Sequence, residues 1–427
     1  MADIRKYKLA DYIDSFGDGI HGTPNYDENG EYYFINGNNL KNGKIEITSN
    51  TLKITSDEYK RIKRNLSDNT LLVSINGTLG NIAFYNNEKI ALGKSACFLN
   101  LNKCACRPFI RYVLESKEFK TYMNRVAGQS TIKNVSPTQV SEYEFFAPSY
   151  SDQARIAKVL STIDSKISVN REINRNLEEL AKQIYDYWFV QFDFPNEAGK
   201  PYKTSGGKMI WNEILKCEIP FGWDLKSVND IATSYRGVGY TAKDEKTSKD
   251  ENVVLILRGN NISNGHIVYD DNTVYIDKSF VTTEQEIRKF DVIITMSSGS
   301  KEHVGKSAMF LFDSPHSYGA FCNKLTPKKN YQFFLSNYLH SEYFIKCIRQ
   351  FASGTGINNL TNEHFSKTVF ALPPNKVIAD FNMMVTKIYQ QLGNLEQESM
   401  KLIALRDNLL PLLMNGQVTL NSCLSAD

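Results

Sequence analysis

Two long stretches of the chain carry apolar residues at alternating steps of four and three, and the second stretch lies 225 positions after the first. Each runs for about 38 residues, or roughly 55 Å at the rise of an α-helix. A seam kept over four heptads is typical of a coiled coil. The seam positions are Leu160, Ile163, Ile167, Asn170, Asn174, Leu177, Ala181, Ile184 and Trp188, and then Val385, Ile388, Leu392, Leu395, Ser399, Leu402, Arg406, Leu409 and Leu413.

Polar residues interrupt both seams, Asn170 and Asn174 in the first and Ser399 and Arg406 in the second. One interpretation places them at a fraying edge of the helix pair. The other is that buried polar groups fix the register and orientation of the pair, at some loss of stability. If the helices pair within the chain, an antiparallel arrangement satisfies the duplication and predicts a pseudo-two-fold molecule with one globular unit at each end.

Short β-rich runs precede each long helix and are bounded by clusters of Asn, Gly and Ser, as in strands joined by turns. A segment of helical period follows the runs in each copy, at 108–125 and 331–350. The predicted fold class is therefore α+β, present twice. The predicted strands are Tyr32–Ile35, 71–75, 81–85, Val253–Leu257, 292–296 and 307–312.

Four sequence matches in the same order indicate an internal duplication. FINGNNLKNG at 34–43 returns as ILRGNNISNG at 256–265, and LLVS at 71–74 returns as VIIT at 292–295. AGQSTIKNV at 127–135 returns as ASGTGINNL at 352–360, and FFAP at 145–148 as FALP at 370–373. The predicted domains are two globular domains at 1–150 and 223–374, long helices at 151–192 and 375–416, a linker at 193–222 and a tail at 417–427.

Composition narrows the class of protein. A chain of 427 residues suggests two or three domains. Its 50 basic and 47 acidic residues leave a net charge of +3. This excludes a protein that coats DNA through a uniformly basic surface, so any contact with nucleic acid must be made by a local basic patch. Between 152 and 190 six basic and six acidic residues balance, as do four and four between 376 and 416. Helices lying along DNA would carry excess positive charge, so these helices are interpreted as spacers and protein contacts.

Neither a membrane segment nor a disulfide framework is predicted. No apolar run reaches the length of a membrane helix, and the first residues do not resemble a signal peptide. Seven cysteines at irregular spacing indicate a reduced cytoplasm. Cys104 and Cys106 lack a second Cys or His pair at zinc-site spacing, so no metal is expected.

No catalytic constellation is found. LPPNK at 372–376 has the prolines of a methyltransferase corner in the wrong order, and it is better interpreted as the linker into the second long helix. DEYK at 57–60 offers two carboxylates and a lysine to a magnesium nuclease, but its counterpart EQEIR at 284–288 ends in Arg. The chain is therefore predicted to be non-catalytic.

Polar loop residues are the candidates for binding. Each one suits a turn, but together with lysines and arginines they suit hydrogen bonds to base edges and phosphates. The basic run at 60–64 fits phosphate contact and a solvated helix face equally well. The candidate DNA contacts are His21, Thr23, Asn38, Asn39, Lys60, Arg61, Lys63, Arg64, Asn76, Thr78, Gln129, Ser130, Thr131, Lys133, Asn134, Arg236, Tyr240, Arg258, Asn260, Asn261, Ser298, Ser300, Lys301, Thr355, Asn358 and Asn359.

These features resemble the DNA-specificity (S) subunits of type I restriction-modification systems. YWFVQFDFP at 187–195 closes the first long helix, and GKMIW at 207–211 and IPFGW at 219–223 resemble that family's entry into its second half. HGTP at 21–24, GTLG at 77–80 and LRDNLLPLLMNG at 405–416 also match. The resemblance covers essentially the whole chain.

The resemblance implies two target recognition domains that each read half of a bipartite DNA sequence. It also implies helices that set the spacer and dock two methyltransferase subunits, with restriction subunits able to join. S-adenosylmethionine, Mg²⁺ and ATP would then bind the partner subunits and not this chain. The second copy has RGVGY at 236–240 where the HGTP string would fall, so its loops are not transferred one by one.

Differing loops in the two copies predict an asymmetric target. Two alternatives remain from the sequence: a scaffold that only joins proteins, and a magnesium-dependent nuclease or methyltransferase.

Overall fold

A computed structural model of the protein describes residues 4–41, 43–128, 133–246, 251–269, 273–351, 358–414 and 417–418. The chain forms two compact units: unit 1 is Met1–Val169 with Ser399–Asp427, and unit 2 is Asn170–Glu398. Each unit thus contains one globular domain and part of both long helices. The predicted boundaries near 151 and 375 mark changes of secondary structure, whereas the compact units divide within the helices.

Unit 1 is built around a four-stranded antiparallel sheet in the order Ile13–Asp18, Ala96–Leu101, Thr70–Ser74, Ile82–Phe84. The two central strands are buried throughout, which explains the uninterrupted apolar run at 71–73. The other strands are Arg5–Lys8, Tyr32–Ile35, Leu40–Lys41, Lys44–Ile45, Lys53–Ile54, Ile90–Leu92 and Glu144–Ala147. The short helices are Ser56–Ile62, Arg107–Glu115, Lys117–Val126 and Pro137–Ser141, with 3₁₀ turns at Leu9–Tyr12 and Gly37–Asn39.

Unit 2 repeats this topology with strands Ala232–Arg236, Cys322–Pro327, Val292–Thr295 and Ser307–Met309. The predicted duplication and the α+β class are therefore confirmed. Its other strands are Met209–Asn212, Cys217–Pro220, Asp224–Ser227, Val253–Leu257, Ile262–Ser263, His266–Ile267, Val274–Asp277, Ser297–Ser298, Ser317–Tyr318, Asn358–Asn359 and Val369–Leu372. The short helices are Val228–Ile231, Gln332–Leu339, Glu342–Phe351 and Asn362–Lys367, with 3₁₀ turns at Gly259–Asn261, Lys278–Phe280 and Thr283–Gln285.

The single helix predicted in each copy is wrong, because both are broken by a serine. The Ser116 hydroxyl donates to the Val113 carbonyl at 2.7 Å and accepts from the Phe119 N–H at 3.1 Å. Ser341 repeats both contacts 225 positions later, at 2.7 and 3.2 Å. Each hydroxyl ends one helix and caps the next, and periodicity alone cannot detect such a break.

The first long helix is Tyr150–Tyr185, which continues into a π-helical turn at Asp186–Val190, and the second is Asn375–Met414. In unit 2, Asn170 Nδ2 donates to Glu398 Oε2 at 2.8 Å, while the ring centroids of Trp188 and Phe381 lie 5.8 Å apart. Contacts further along the first helix therefore involve earlier residues of the second helix. The two helices of unit 2 are antiparallel, as predicted.

The seam residues face inward in both units. Asn170 is completely buried, so it lies inside the helix pair rather than at a fraying edge, and Asn174 and Arg406 are half-buried. The buried apolar seam residues are Leu160, Ile167, Ala181, Trp188, Val385, Leu392, Leu395 and Leu413, and the half-buried ones are Ile163, Leu177, Ile184, Ile388, Leu402 and Leu409.

The segment predicted as a linker is folded. Met209–Asn212 and Cys217–Pro220 form an antiparallel hairpin. Phe192, Phe194 and Trp223 join an aromatic core with the end of the first long helix. This segment is therefore an ordered part of unit 2.

Candidate nucleic-acid interface

The antiparallel order of the sheet collects several loops of unit 1 at one end. The ends of Ile13–Asp18 and Thr70–Ser74 lie beside the start of Ala96–Leu101, so loops 18–24, 75–80 and 93–95 share that end. The turn at 36–39 joins them, because the Ser95 hydroxyl donates to Asn36 Oδ1 and accepts from Gly37 N–H, each at 2.9 Å. We call this surface the loop end of the unit.

The segment before the short helix Pro137–Ser141 also reaches the loop end of unit 1. Asn76 Nδ2 donates to Asn134 Oδ1 at 3.1 Å, and Gly77 N–H donates to the Lys133 carbonyl at 3.0 Å. Lys133 Nζ donates to Asn124 Oδ1 at 2.6 Å and remains exposed. Residues almost 60 positions apart in the chain are thus neighbours, as a composite binding surface requires.

Unit 2 builds the same loop end from different residues. Ser297–Ser298 pairs with Asn358–Asn359 in an antiparallel bridge, and Leu360 N–H donates to the Met296 carbonyl at 2.7 Å. Loops 236–240 and 319–321 lie beside them, since Val238 N–H donates to the Tyr318 carbonyl at 2.7 Å.

A glycine begins the 3₁₀ turn at both loop ends for a steric reason. A Cβ on Gly37 would lie 2.9 Å from the Ser74 Cβ, and one on Gly259 would lie 2.9 Å from the Thr295 Cγ2. Each turn therefore packs directly against the end of a central strand. The match at 34–43 and 256–265 thus has a packing cause.

Most predicted contacts that the structure describes are accessible at the loop ends. His21, Thr23, Asn38, Thr78, Lys133 and Asn134 are exposed in unit 1, and Arg236, Asn260, Ser300, Lys301 and Asn359 are exposed in unit 2. Asn76, Tyr240 and Ser298 are half-buried. His21 Nε2 lies 2.7 Å from Asp18 Oδ2, which orients the imidazole.

Two predicted contacts, Asn39 and Asn261, hold their own turns instead. Asn261 is only 2% exposed; its Oδ1 accepts from Arg258 N–H and its Nδ2 donates to the Val268 carbonyl, both at 2.9 Å. Asn39 is half-buried and makes the same two contacts, with Asn36 N–H at 2.9 Å and the Glu46 carbonyl at 3.1 Å. Their amide groups are used inside the fold, so both assignments as DNA contacts are corrected.

Most basic side chains of the run at 60–64 form ion pairs or hydrogen bonds within unit 1. Lys60 Nζ pairs with Asp57 at 3.0 Å, and Arg61 pairs with Glu58 at 2.6 Å. Arg64 donates to the carbonyls of Asp18 and Gly19 at 2.8 and 3.2 Å, so it supports the first loop. Lys63 is exposed, and the described residues include no ion pair to it.

Arg258 lies beside Tyr240 in unit 2. It is half-buried and hydrogen-bonds the Tyr240 hydroxyl, while burial raises the pKa of that hydroxyl. The arginine therefore connects the 258–261 turn to the 236–240 loop. Four other candidates, Gln129, Ser130, Thr131 and Thr355, lie outside the described residues, as does the side chain of Asn358.

Sequence reasoning missed an aromatic residue at the loop end of unit 2. Phe321 is 67% exposed and, with Arg236, lines an open concavity of about 420 Å³. The candidate contacts are polar or charged loop residues, and Phe321 is neither. The available signal was a phenylalanine directly after GA at 319–320.

The carboxylates considered for nuclease chemistry do not converge. The Asp57 side chain is 92% exposed and that of Glu58 is 7% exposed. Hydrogen bonding from Arg61 holds the pKa of Glu58 below its usual value. No group of three His, Cys, Asp or Glu residues able to hold a metal ion occurs among the described residues. Within the same residues, no helix is long and apolar enough to cross a membrane.

Comparison with known proteins gives a consistent result. A family model described as the type I restriction modification DNA specificity domain matches residues 1–179 and 220–401. The chain is 24% identical over 407 residues to the type I restriction enzyme MjaIX specificity subunit of Methanocaldococcus jannaschii, covering 93% of this chain and 86% of that protein. It is 30% identical over 207 residues to the EcoKI specificity subunit of Escherichia coli, covering 47% of this chain and 44% of that protein.

The fold is also similar to a solved structure. The crystal structure of the type I restriction-modification S subunit from M. genitalium aligns with a TM-score of 0.51 over 96% of each chain, at 17% identity. This likeness concerns the fold alone.

Proposed function

The chain belongs to the type I restriction-modification DNA specificity family, and from that premise we propose that it is the subunit that selects a bipartite DNA target. Each unit would contact one half-site through its loop end. Exposed amides, hydroxyls and basic groups there suit hydrogen bonds to base edges and phosphates.

One observation carries the proposal: two loop ends share a backbone plan but not their side chains. Asn76 in unit 1 corresponds to Ser297 in unit 2, and Asp18 corresponds to Arg236. Base preference depends on the side chains that reach the groove, so the two half-sites should differ. An asymmetric target follows, and a mapped target with identical half-sites would contradict it.

The long helices are proposed to set the spacer between half-sites and to dock two methyltransferase subunits, with restriction subunits joining the assembly. Their balanced charge suits protein contact better than phosphate contact. The chain itself is proposed to be non-catalytic. S-adenosylmethionine, Mg²⁺ and ATP are accordingly expected on the partner subunits.

The first experiment is a methylation map of DNA from cells that express this chain with its methyltransferase partner, this chain alone, or the partner alone. A split motif methylated only when both are present would support the proposal. Methylation by this chain alone would show that it is a methyltransferase. No methylated motif in any of the three strains would favour a protein scaffold.

A second experiment substitutes the loop ends. Lys133→Ala should change the preference or affinity in one half-site, and Arg258→Ala in the other. Lys103→Ala and Lys329→Ala are matched controls, because these exposed lysines follow Ala96–Leu101 and Cys322–Pro327 at the opposite end of each sheet. Loop variants that behave like these controls would favour the scaffold.

A third experiment changes helix length. One heptad inserted between Ser165 and Leu180, with a matching heptad beside Glu398, adds about 10 Å of helix, or roughly three base pairs of duplex. The spacer should lengthen accordingly while both half-sites stay the same. An unchanged spacer in an active complex would contradict the spacer role of the helices.

A further inference from the structure

The concavity at the loop end of unit 2 presents one cation and one aromatic ring to solvent. Arg236 and Phe321 both line it and both are exposed, Phe321 by 67%. None of the described lining residues is acidic, so the guanidinium faces no carboxylate there. A single exposed ring is common in proteins and indicates nothing by itself. The backbone around Phe321, however, is fixed by several hydrogen bonds.

The backbone that carries Phe321 is held on two sides. Its carbonyl accepts from Met296 N–H at 2.8 Å and from Ser297 N–H at 3.2 Å. The next residue, Cys322, donates its N–H to the Gly319 carbonyl at 2.8 Å. The ring therefore projects from a fixed turn at the start of a central strand, which is the kind of support that a precise contact needs.

Arg236 is held equally firmly. It ends the strand Ala232–Arg236 and pairs with Asn323 in the ladder. The next residue is closely packed, since a Cβ on Gly237 would lie 2.2 Å from the Gly319 carbonyl oxygen. Asn323 Nδ2 donates to Ser234 Oγ at 2.9 Å and to Asn362 Oδ1 at 3.2 Å, which stiffens the lining between the two residues.

At the two corresponding positions, unit 1 has no such pair. The positions that correspond to Arg236 and Phe321 are Asp18 and Ser95. Asp18 contacts His21, and Ser95 is hydrogen-bonded to Asn36 and Gly37. The cation and the ring are therefore specific to the half-site of unit 2.

We propose that Arg236 and Phe321 determine the specificity of unit 2, with Arg236 hydrogen-bonding a guanine and Phe321 contacting the 5-methyl group of a thymine in a neighbouring base pair. Arginine binds guanine O6 and N7 in a two-pronged geometry, and apolar side chains distinguish thymine by its methyl group. This inference rests on the proposed function and names the bases that unit 2 prefers.

The test uses the full chain with its methyltransferase partner and duplexes carrying the mapped wild-type target. Replacing the contacted thymine by deoxyuridine removes only the methyl group and should weaken wild-type binding about fourfold. The same replacement should have no effect on the Phe321→Ala complex. Arg236→Gln should lose at least about tenfold in discrimination for guanine over the other bases at one position.

Two controls are built into the design. Phe280→Ala removes another exposed ring of unit 2, on the 3₁₀ turn Lys278–Phe280, and should leave the deoxyuridine effect intact. The half-site of unit 1 should keep its preference in every variant, which shows that the complex still assembles and that any change is confined to unit 2. Urea denaturation of each variant shows whether unit 2 remains folded.

Three outcomes would overturn the inference. Deoxyuridine could weaken the Phe321→Ala and wild-type complexes equally, or weaken neither at any thymine. Arg236→Gln could weaken all sequences alike, as loss of a phosphate contact does. Failure of the proposed function is distinguishable, because the wild-type complex would then have no split target at all.

Discussion

At one buried site between the central strands, the two units have different hydrogen-bonded side chains. In unit 1 the Thr70 hydroxyl donates to Asn100 Oδ1, a neutral pair on adjacent central strands. In unit 2 the corresponding pair is Thr326 donating to Asp291 Oδ1 at 2.6 Å. The backbone plan requires a hydrogen bond here, and a carboxylate in that place requires a cation as well.

Lys324 supplies that cation in unit 2. Its Nζ lies 3.4 Å from Asp291 Oδ2 and donates to the Glu286 carbonyl at 2.6 Å, with both side chains almost completely buried. It also lies 5.2 Å from the centroid of the Tyr235 ring. In unit 1 the corresponding strand pair is Phe98 and Gly17. Unit 1 thus has an aromatic ring where unit 2 has the lysine, and a glycine where unit 2 has the tyrosine.

The largest expected effect comes from breaking this ion pair. Lys324→Met should destabilise unit 2 by about 3–5 kcal/mol, because the buried Asp291 carboxylate loses its cation. The double variant with Asp291→Asn should recover most of that loss. Urea denaturation of the full chain measures both, with exposed Lys329→Met expected within about 0.5 kcal/mol of wild type. A loss below about 1 kcal/mol for Lys324→Met would contradict the argument.

The helix pairs should differ in the opposite sense, because here the ionic contact lies in unit 1. Asp164 accepts from Tyr112 Oη at 2.7 Å and from Arg406 Nη1 at 2.9 Å. Asp164→Ala should destabilise unit 1 by about 2–3 kcal/mol, because it leaves a half-buried guanidinium and a buried phenol without this acceptor. Asn170→Ala in unit 2 should cost about 1 kcal/mol. Equal losses in denaturation experiments would remove the distinction.

The serine breaks offer a smaller and more symmetrical test. Ser116→Ala and Ser341→Ala should each cost about 1 kcal/mol through loss of the helix cap. The Ser116 change should cost more, because that residue is only 3% exposed. Ser161→Ala is the control: this exposed hydroxyl only bonds back to the Lys158 carbonyl within the first long helix, so stability should be unchanged or slightly raised. Equal stability of the Ser116 and Ser161 variants would argue against capping.

The smallest expected effect is a pH dependence confined to unit 2. His266 lies 3.3 Å from Glu178, and this hydrogen bond raises the His266 pKa. The group also faces Glu396, whose pKa burial raises, and lies near His340. Because the folded His266 pKa is above its unfolded value, the stabilisation is complete below about pH 6.5 and is lost as pH rises through the folded value.

His266→Gln should therefore flatten the stability of unit 2 between about pH 6 and pH 8. Both side chains are close to half-exposed, so the change should stay under about 1 kcal/mol. Unit 1 carries Lys44 at the corresponding hairpin position and has no imidazole there. An unchanged slope in thermal unfolding of the variant would exclude this contact as its source.

Most of the fold could be predicted from local pattern, whereas the composition of the loop ends could not. The strands Tyr32–Ile35 and Val253–Leu257 were predicted to the residue because an apolar run between turn signals is a local property. Asn261 and Asn260 look alike in sequence, yet only Asn260 is exposed. Arg64 likewise resembles Lys63, but its guanidinium supports backbone 45 residues away.

By itself the sequence determined the duplication, the long helical seams and the family resemblance, because these depend on periodicity and on repeated strings. Only the tertiary structure decided which polar side chains remain available at each loop end and that Phe321 stands beside Arg236. It also showed that a lysine is buried against Asp291. Such outcomes depend on contacts between residues far apart in the chain, where burial and hydrogen-bond partners are set by packing and not by neighbours in sequence.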